Sequence, residues 1–392
     1  EMPQADLARP VTKASWTAQS APALDADIAK AMTLALSGRP GPVHVSLPVD
    51  LLEQEVVERP IEARIDIEPM SPERGVMDDV AAHLRAASKP LVICGASMCS
   101  ERGYAMMERA GEAFGVPVIG MQSPRGINDP GLGAFAEILA QADLVVLAGK
   151  PLDFMLKFGE APAFSPSCQW IVIDPDHAMI ARASKAFGAR LLMSRVAGAE
   201  AVVTGLIERS VTPGTPSSWH QHVRDALAYQ PPQWAALRSG QSGRLHPVEM
   251  CRAVDAFLSK YRDATFISDG GEIGQWAQAI VKTPRRRLIN GVAGTIGASL
   301  PFAIAAQRAH PDQPVLALLG DGTFGFHMAE FDTAVRYGIP MIAVVGNDAR
   351  WNAEYQIQLR QYGAERAKNC ELLPSRYDLV VEALGGFGAL VT

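Results

Sequence analysis

The sequence predicts an α/β protein built of successive doubly wound parallel-sheet domains, and three observations predict it. Four short apolar runs, PLVICGA, VPVIGM, DLVVLAG and WIVIDPD, alternate with helical patterns, the order of elements a parallel sheet requires. Two later runs, VLALL and MIAVV, are joined by one helical pattern and each ends in an acidic turn, Gly320-Asp321-Gly322 and Gly346-Asn347-Asp348. Two stretches rich in Pro, Ser, Thr or charge, at about 59–72 and 212–218, read as linkers and divide the chain into three segments.

Composition agrees with that layout and narrows the partners. A chain of 392 residues with 48% hydrophobic and 20% charged content has room for two or three ordinary globular domains. A net charge of −6 at pH 7 gives no reason to expect nucleic acid or an anionic membrane as a partner. No apolar run reaches the length of a membrane span, and the start shows no secretory pattern. Arg285-Arg286-Arg287 follows Pro284 and reads as a solvated loop. The five cysteines, Cys94, Cys99, Cys168, Cys251 and Cys370, have no metal-ligand spacing. They read as packed, reduced thiols of a cytoplasmic protein.

In chain order, the first segment carries a helical pattern, DADIAKAMTLALS, followed by GRPGPVHVSLPVDLL. The second opens on the amphipathic ERGVMDDVAAHLRAAS and continues through the four strand runs. Its layout is Rossmann-like, yet no Gly-x-Gly-x-x-Gly follows its first strand, so a nicotinamide dinucleotide is disfavoured. Asp174 and Asp176 end WIVIDPD where a ribose or adenine contact would fall, and a plain strand-ending turn is the favoured reading of them. Arg125, in SPRGINDP, is open to the same two readings.

The third segment holds the acidic turns. Residues 323–337 place Phe324, Met328, Phe331 and Val335 on one helical stripe, Gly338 supplies a stop, and Pro340 opens the next strand. A strand, a crossover helix and a parallel strand form a right-handed unit that binds ligands beyond the strands' carboxyl ends, where both turns lie. Glycines beside Asp321 permit close backbone approach, and a following helix start offers unpaired N–H groups to an anion. A hard cation such as Mg²⁺ commonly bridges one or two carboxylates to phosphate oxygens.

Gly320-Asp321-Gly322, followed after a fixed stretch by Asn347-Asp348, resembles the signature of the thiamine-diphosphate-dependent enzymes, in the acetolactate-synthase-like group. The stretch 264–297, ATFISDGGEIGQWAQAIVKTPRRRLINGVAGTIG, resembles the part of the same domain that wraps the cofactor's other side. The resemblance implies thiamine diphosphate and Mg²⁺ as cofactors. It makes Asp321, Asp348 and the backbone carbonyl of Arg350 the metal ligands, with Asn347 in that role if the register slips by one. The family pattern has a second Asn where this chain has Asp348, an equally competent oxygen ligand. Gly271, Glu272 and Ile273 correspond to the turn that approaches the diphosphate. Gly294, Thr295 and Ile296 correspond to the segment beside the aminopyrimidine, with Ile296 as the apolar prop that bends the cofactor. Gly320, Gly322, Thr323 and Trp351 complete the expected cofactor contacts.

By the same resemblance, residues 1–58 are the end of a pyrimidine-binding domain, 70–210 the central domain and 235–392 a C-terminally incomplete diphosphate-binding domain. The central domain binds FAD or ADP in some members and is only structural in others, and nothing in this sequence supports either nucleotide. The family's activating glutamate is expected upstream of Glu1, so the chain reads as an internal piece with no catalytic residue of its own assigned. The implied reaction joins or splits a carbon–carbon bond of a 2-keto acid. A 2-hydroxyacyl-CoA or aldehyde lyase on the same scaffold, and a catalytically incomplete cofactor-binding fragment, are the alternatives. A homodimer or homotetramer is implied. His327, Glu354 and Gln358 are the candidate acid-base or polar groups near the cofactor, and Asn352 and Tyr355 its further neighbours.

Overall fold

The computed structural model describes residues 2–57, 64, 65, 67, 69–209, 217–261, 263–283 and 286–392. Three all-parallel sheets succeed one another along the chain, as the alternation of runs predicts. No helix among the described residues is long and apolar enough to cross a membrane.

The first unit is small. Strands β1 (Ala14–Thr17) and β2 (Val43–Ser46) pair in parallel around the crossover helix Leu24–Leu36.

The middle unit has five strands rather than four: β3 (Pro90–Cys94), β4 (Val118–Gly120), β5 (Leu144–Ala148), β6 (Gln169–Ile173) and β7 (Leu191–Arg195), in the order β4-β3-β5-β6-β7. Alternate residues of the central strands feed two separate cores. Val92, Cys94, Leu144 and Val146 join one, and Leu91, Ile93, Val145 and Leu147 the other. Burial on both faces is why these strands read as unbroken apolar runs. The missed strand β7 lies at the sheet edge, is only partly buried, and ends on Arg195, so its apolar run is too short to stand out. The unit also extends past the expected boundary at 210. Ser217 caps the helix Ser218–Ala228, whose Trp219, Val223 and Ala226 are buried in the second of those cores. The rest of that expected linker, and half of the earlier one at 59–72, falls outside the described residues.

The third unit positions the site. Strands β8 (Thr265–Ser268), β9 (Arg286–Ile289), β10 (Val315–Gly320) and β11 (Ile342–Gly346) lie in the order β11-β10-β8-β9. From β8 the chain moves outward through helix Gly271–Ile280 to β9. It then returns through helix Ser299–Ala309 to β10 on the other side of β8. The direction of winding therefore reverses between β8 and β10, and such a reversal opens a crevice at the strands' carboxyl ends.

Two expectations are corrected here. The stripe at 323–337 forms two short helices, Asp321–His327 and Glu330–Arg336, rather than one. At the join the bonds tighten, Phe331 N–H to Met328 O and Asp332 N–H to Ala329 O, while Gly322 and Gly325 weaken the first helix. Phe324 and Phe331 stay packed, with ring centroids 5.9 Å apart, but Met328 and Val335 are 37% and 44% exposed. Arg286 and Arg287 are not a solvated loop: both lie in β9. Arg286 pairs with Glu101 at 2.7 Å, and the Arg287 guanidinium lies over the Phe266 ring and donates to the Val281 carbonyl. Arg285 lies outside the described residues.

Candidate cofactor site at the sheet reversal

Where β8, β10 and β11 end, three loops and a helix start close around one cavity. Its lining includes Gly271, Glu272, Ile273, Ile296, Gly320 and Asp321. Gly322, Thr323, Asp348, Arg350, Trp351 and Glu354 complete it on the other side. These come from widely separated stretches of sequence, and the register brings them together: Gly320 at the end of β10 sits directly beside Gly346 at the end of β11.

Asp321 is 2% exposed and opens the helix after β10. Its Oδ2 accepts the Arg350 N–H at 3.2 Å, which ties the two acidic turns to each other. Burial pushes its carboxyl above the usual range, against the pull of backbone N–H groups from Gly322 and Arg350. Burial, and then the charge of Asp321, push the Asp348 carboxyl up to about 6. A buried acid that raises the carboxyl beside it is an arrangement that a cation would relieve. Among the described residues there is no group of three His, Cys, Asp or Glu side chains for a metal. Backbone carbonyls, water or phosphate oxygens beside this pair would complete the oxygen donor set that Mg²⁺ prefers.

The second turn is held from outside. Asn347 donates through Nδ2 to the Ser375 carbonyl at 2.9 Å and accepts the Ala349 N–H through Oδ1 at 3.3 Å. It is not in the cavity lining, whereas Asp348 is. Ala349 has φ 55, a left-handed conformation that costs roughly 1–2 kcal/mol for a residue with a Cβ. The neighbouring segment holds it there, with Leu372 N–H bonded to Ala349 O and Trp351 N–H to Cys370 O, each at 2.7 Å.

Close approach explains two of the glycines. A Cβ at Gly270 would stand 2.5 Å from Ile296 Cγ2, so the Ile296 side chain reaches the cavity only because residue 270 has none. A Cβ at Gly322 would stand 2.5 Å from the Trp351 ring, which packs edge-on with Phe326 at 5.9 Å. Both fits are what a cavity floor of backbone and apolar side chain needs.

Asp269 carries a role that the sequence reading did not assign. Its carboxylate is 1% exposed and accepts N–H groups from Gly270 at 2.7 Å, Gly297 at 3.1 Å and Ser299 at 3.2 Å. One side chain thus ties the end of β8 to the loop that presents Ile296. An Asp before paired glycines at a strand end was its only sequence signal.

Other expected residues stand apart. Gly294 and Thr295 are not in the cavity lining; Gly294 packs against Pro124 of the middle unit. His327 also lies outside the lining, with Nδ1 2.8 Å from the Gly297 carbonyl. Gln358 is engaged with the Lys368 backbone, and Tyr355 stacks under the Arg350 guanidinium at 4.1 Å. Asn352 and Glu354 do line the cavity.

In the middle unit, Asp174 Oδ1 accepts the Asp176 N–H at 2.9 Å, and Asp176 caps helix His177–Phe187. That is the turn reading of these two acids. The reversal between β3 and β5 is closed by backbone, because a side chain at Gly95 would collide with the Gly149 carbonyl, and Lys150 beside it is 3% exposed.

Paired acids, a helix start and an apolar side chain thus meet at the reversal of a parallel sheet, where ligands of such sheets bind. Comparison with known proteins makes the class specific. Residues 269–392 match the thiamine pyrophosphate enzyme C-terminal TPP binding domain, and residues 77–189 match the central domain of the same enzymes. The chain belongs to the thiamine-diphosphate-dependent enzymes. Over its whole length it is 29% identical to the acetolactate synthase large subunit IlvG of Mycobacterium tuberculosis, covering 71% of that protein. It is 24% identical to a 2-hydroxyacyl-CoA lyase of Arabidopsis thaliana, matching all of this chain and 72% of the relative. With the human 2-hydroxyacyl-CoA lyase 2 it shares 28% identity, over 99% of this chain and 67% of the relative.

Proposed function

We propose that this chain holds thiamine diphosphate with Mg²⁺ in the cavity between β8, β10 and β11. We further propose that its enzyme forms or cleaves a carbon–carbon bond beside the carbonyl of a 2-keto acid. The observation that carries the reading is the joint lining of one cavity by Gly271, Ile296, Asp321, Asp348 and Trp351. When bound, thiamine diphosphate supplies the electron sink for the carbon–carbon chemistry. The chain's own work is anchoring and shaping. Asp321, Asp348 and the Arg350 backbone carbonyl are the metal ligands in this reading, and the turn Gly271–Ile273 meets the diphosphate. Ile296, packed against Gly270, would support the bound cofactor, and Trp351 and Glu354 border the remaining space.

A second reading, a 2-hydroxyacyl-CoA or aldehyde lyase, draws support from the relatives of that name. Full-length protein supplied with thiamine diphosphate and Mg²⁺ separates the two: pyruvate consumption supports the first, and acyl-CoA cleavage the second. Cofactor binding with neither activity would leave the binding-only reading. We also propose a homodimer or homotetramer, supported by the exposed Phe326, Met328, Val335 and Tyr337 along the crossover between β10 and β11; sedimentation as a monomer would exclude it.

Metal binding at this pair should depend on pH. The folded Asp348 carboxyl titrates near 6, above its ordinary value of 3.8. Its contribution to folding is therefore present below the ordinary value and lost as pH rises through 6, while the cation needs the ionised form. Mg²⁺ should raise the melting temperature of the protein more at pH 7 than at pH 5. An equal rise at both would count against Asp348 as a ligand.

A further inference from the structure

The loop after β4, Ser123 to Leu132, belongs to the middle unit yet lies along the helix that opens the cofactor cavity. Its turn is rigid: Gly126 N–H bonds to Ser123 O at 3.0 Å, and Gly126 packs so closely on the Met155 carbonyl that a side chain there would collide. From this turn Pro124 packs on Gly294, and Arg125 Nη2 donates to the Gly271 carbonyl at 3.3 Å. Arg125 Nη1 is buried and has no hydrogen-bond partner among the described residues. At the far end of the same helix, Lys282 Nζ donates to Gly131 O at 2.7 Å and Gln230 Nε2 to Ala279 O at 2.9 Å. The helix Gly271–Ile280 is thus gripped at both ends by the middle unit.

The grip at Gly271 falls on one particular peptide. The Gly271 carbonyl and the Glu272 N–H belong to a single trans unit and point in opposite directions. A donor held on the oxygen therefore fixes where the N–H points and polarises it. That N–H is among the helix-start donors left without an intrahelical partner. Gly271 itself has φ 76, a conformation glycine leaves easily, so the peptide needs an external restraint. Arg125 also supplies positive charge beside Glu272 and Asp129, the two acids that favour its charged form against burial.

We propose that Arg125 is a positioning residue for the cofactor's diphosphate, acting from the middle unit through the Gly271–Glu272 peptide. The proposal rests on the reading that this cavity takes thiamine diphosphate. The test is calorimetric titration of thiamine diphosphate with Mg²⁺ into wild type, Arg125→Met, Arg125→Lys and, as a control, Asp321→Ala. Arg125→Met should weaken binding by roughly tenfold or more, with the melting temperature of the cofactor-free protein unchanged. Arg125→Lys, which keeps a charged donor, should recover most of the loss. Wild-type affinity in Arg125→Met would overturn the proposal. So would equal losses in both variants with a lowered melting temperature, since that is the behaviour of a structural strap. If wild type itself fails to bind, the cavity reading falls instead. If wild type binds, Asp321→Ala does not, and Arg125→Met binds normally, only the role of Arg125 falls.

Discussion

Asp321→Ala should abolish Mg²⁺-dependent binding of thiamine diphosphate while leaving the cofactor-free protein at least as stable as wild type. The two effects have opposite signs for one reason. Asp321 is 2% exposed and its carboxyl is raised by burial, so at neutral pH its charge opposes folding. Removing it relieves that cost, and the loss on the other side is its bonds from backbone N–H groups, Arg350 at 3.2 Å and Gly322 among them, each worth about 1 kcal/mol. For binding, the same charge is one of only two side-chain ligands the turns offer. Without it the affinity for thiamine diphosphate should fall by roughly 100-fold or more, about 2.7 kcal/mol. Calorimetry measures the first effect and thermal denaturation of the cofactor-free protein the second. Unchanged binding would sink the assignment of this cavity, and a large loss of stability would show Asp321 to be a structural residue.

Asp269→Ala should produce the converse pattern, a large loss of stability with the metal pair untouched. The carboxylate is 1% exposed and satisfies the N–H groups of Gly270, Gly297 and Ser299. Deleting it strands three buried donors, each costing roughly 1–3 kcal/mol, for a total of about 3–5 kcal/mol after local relaxation. Asp269→Asn keeps one acceptor oxygen and should lose about half as much, on the order of 2 kcal/mol. The loop from Gly294 to Ser299 should then exchange its amide hydrogens faster, and Ile296 should no longer be held against Gly270. Denaturant titration with hydrogen exchange reads both consequences. A midpoint and exchange pattern like those of wild type would show that the loop is held by something else.

Much of this was legible from local pattern. Apolar runs that are buried on both faces of a parallel sheet stand out as unbroken stretches, as β3, β5, β6 and β10 do. The acidic turns were legible because β10 and β11 end in register, so residues 320 and 346 meet at one edge. The short edge strand β7, half exposed and charged at its end, lacked that signal. Periodicity alone made one helix of 323–337, because a stripe records which residues share a face and not where the hydrogen bonding breaks. The run of arginines looked like a loop because charge suggests solvent. Within β9, Arg287 instead lies over Phe266 and caps a backbone carbonyl, so its stem and its charge are both used.

The sequence by itself determined the succession of parallel sheets, the place of the crevice and the chemistry of the two acids. Those follow from periods of apolar residues and from short motifs, which are local. The tertiary structure alone decided which neighbour serves the site. Asn347 turns away because Ser375, distant in sequence, offers it a carbonyl. Asp269 becomes a knot because two loops converge on it, and Arg125 reaches Gly271 from another sheet. Each choice depends on contacts between segments far apart in the chain, and a linear pattern carries no record of where such segments meet.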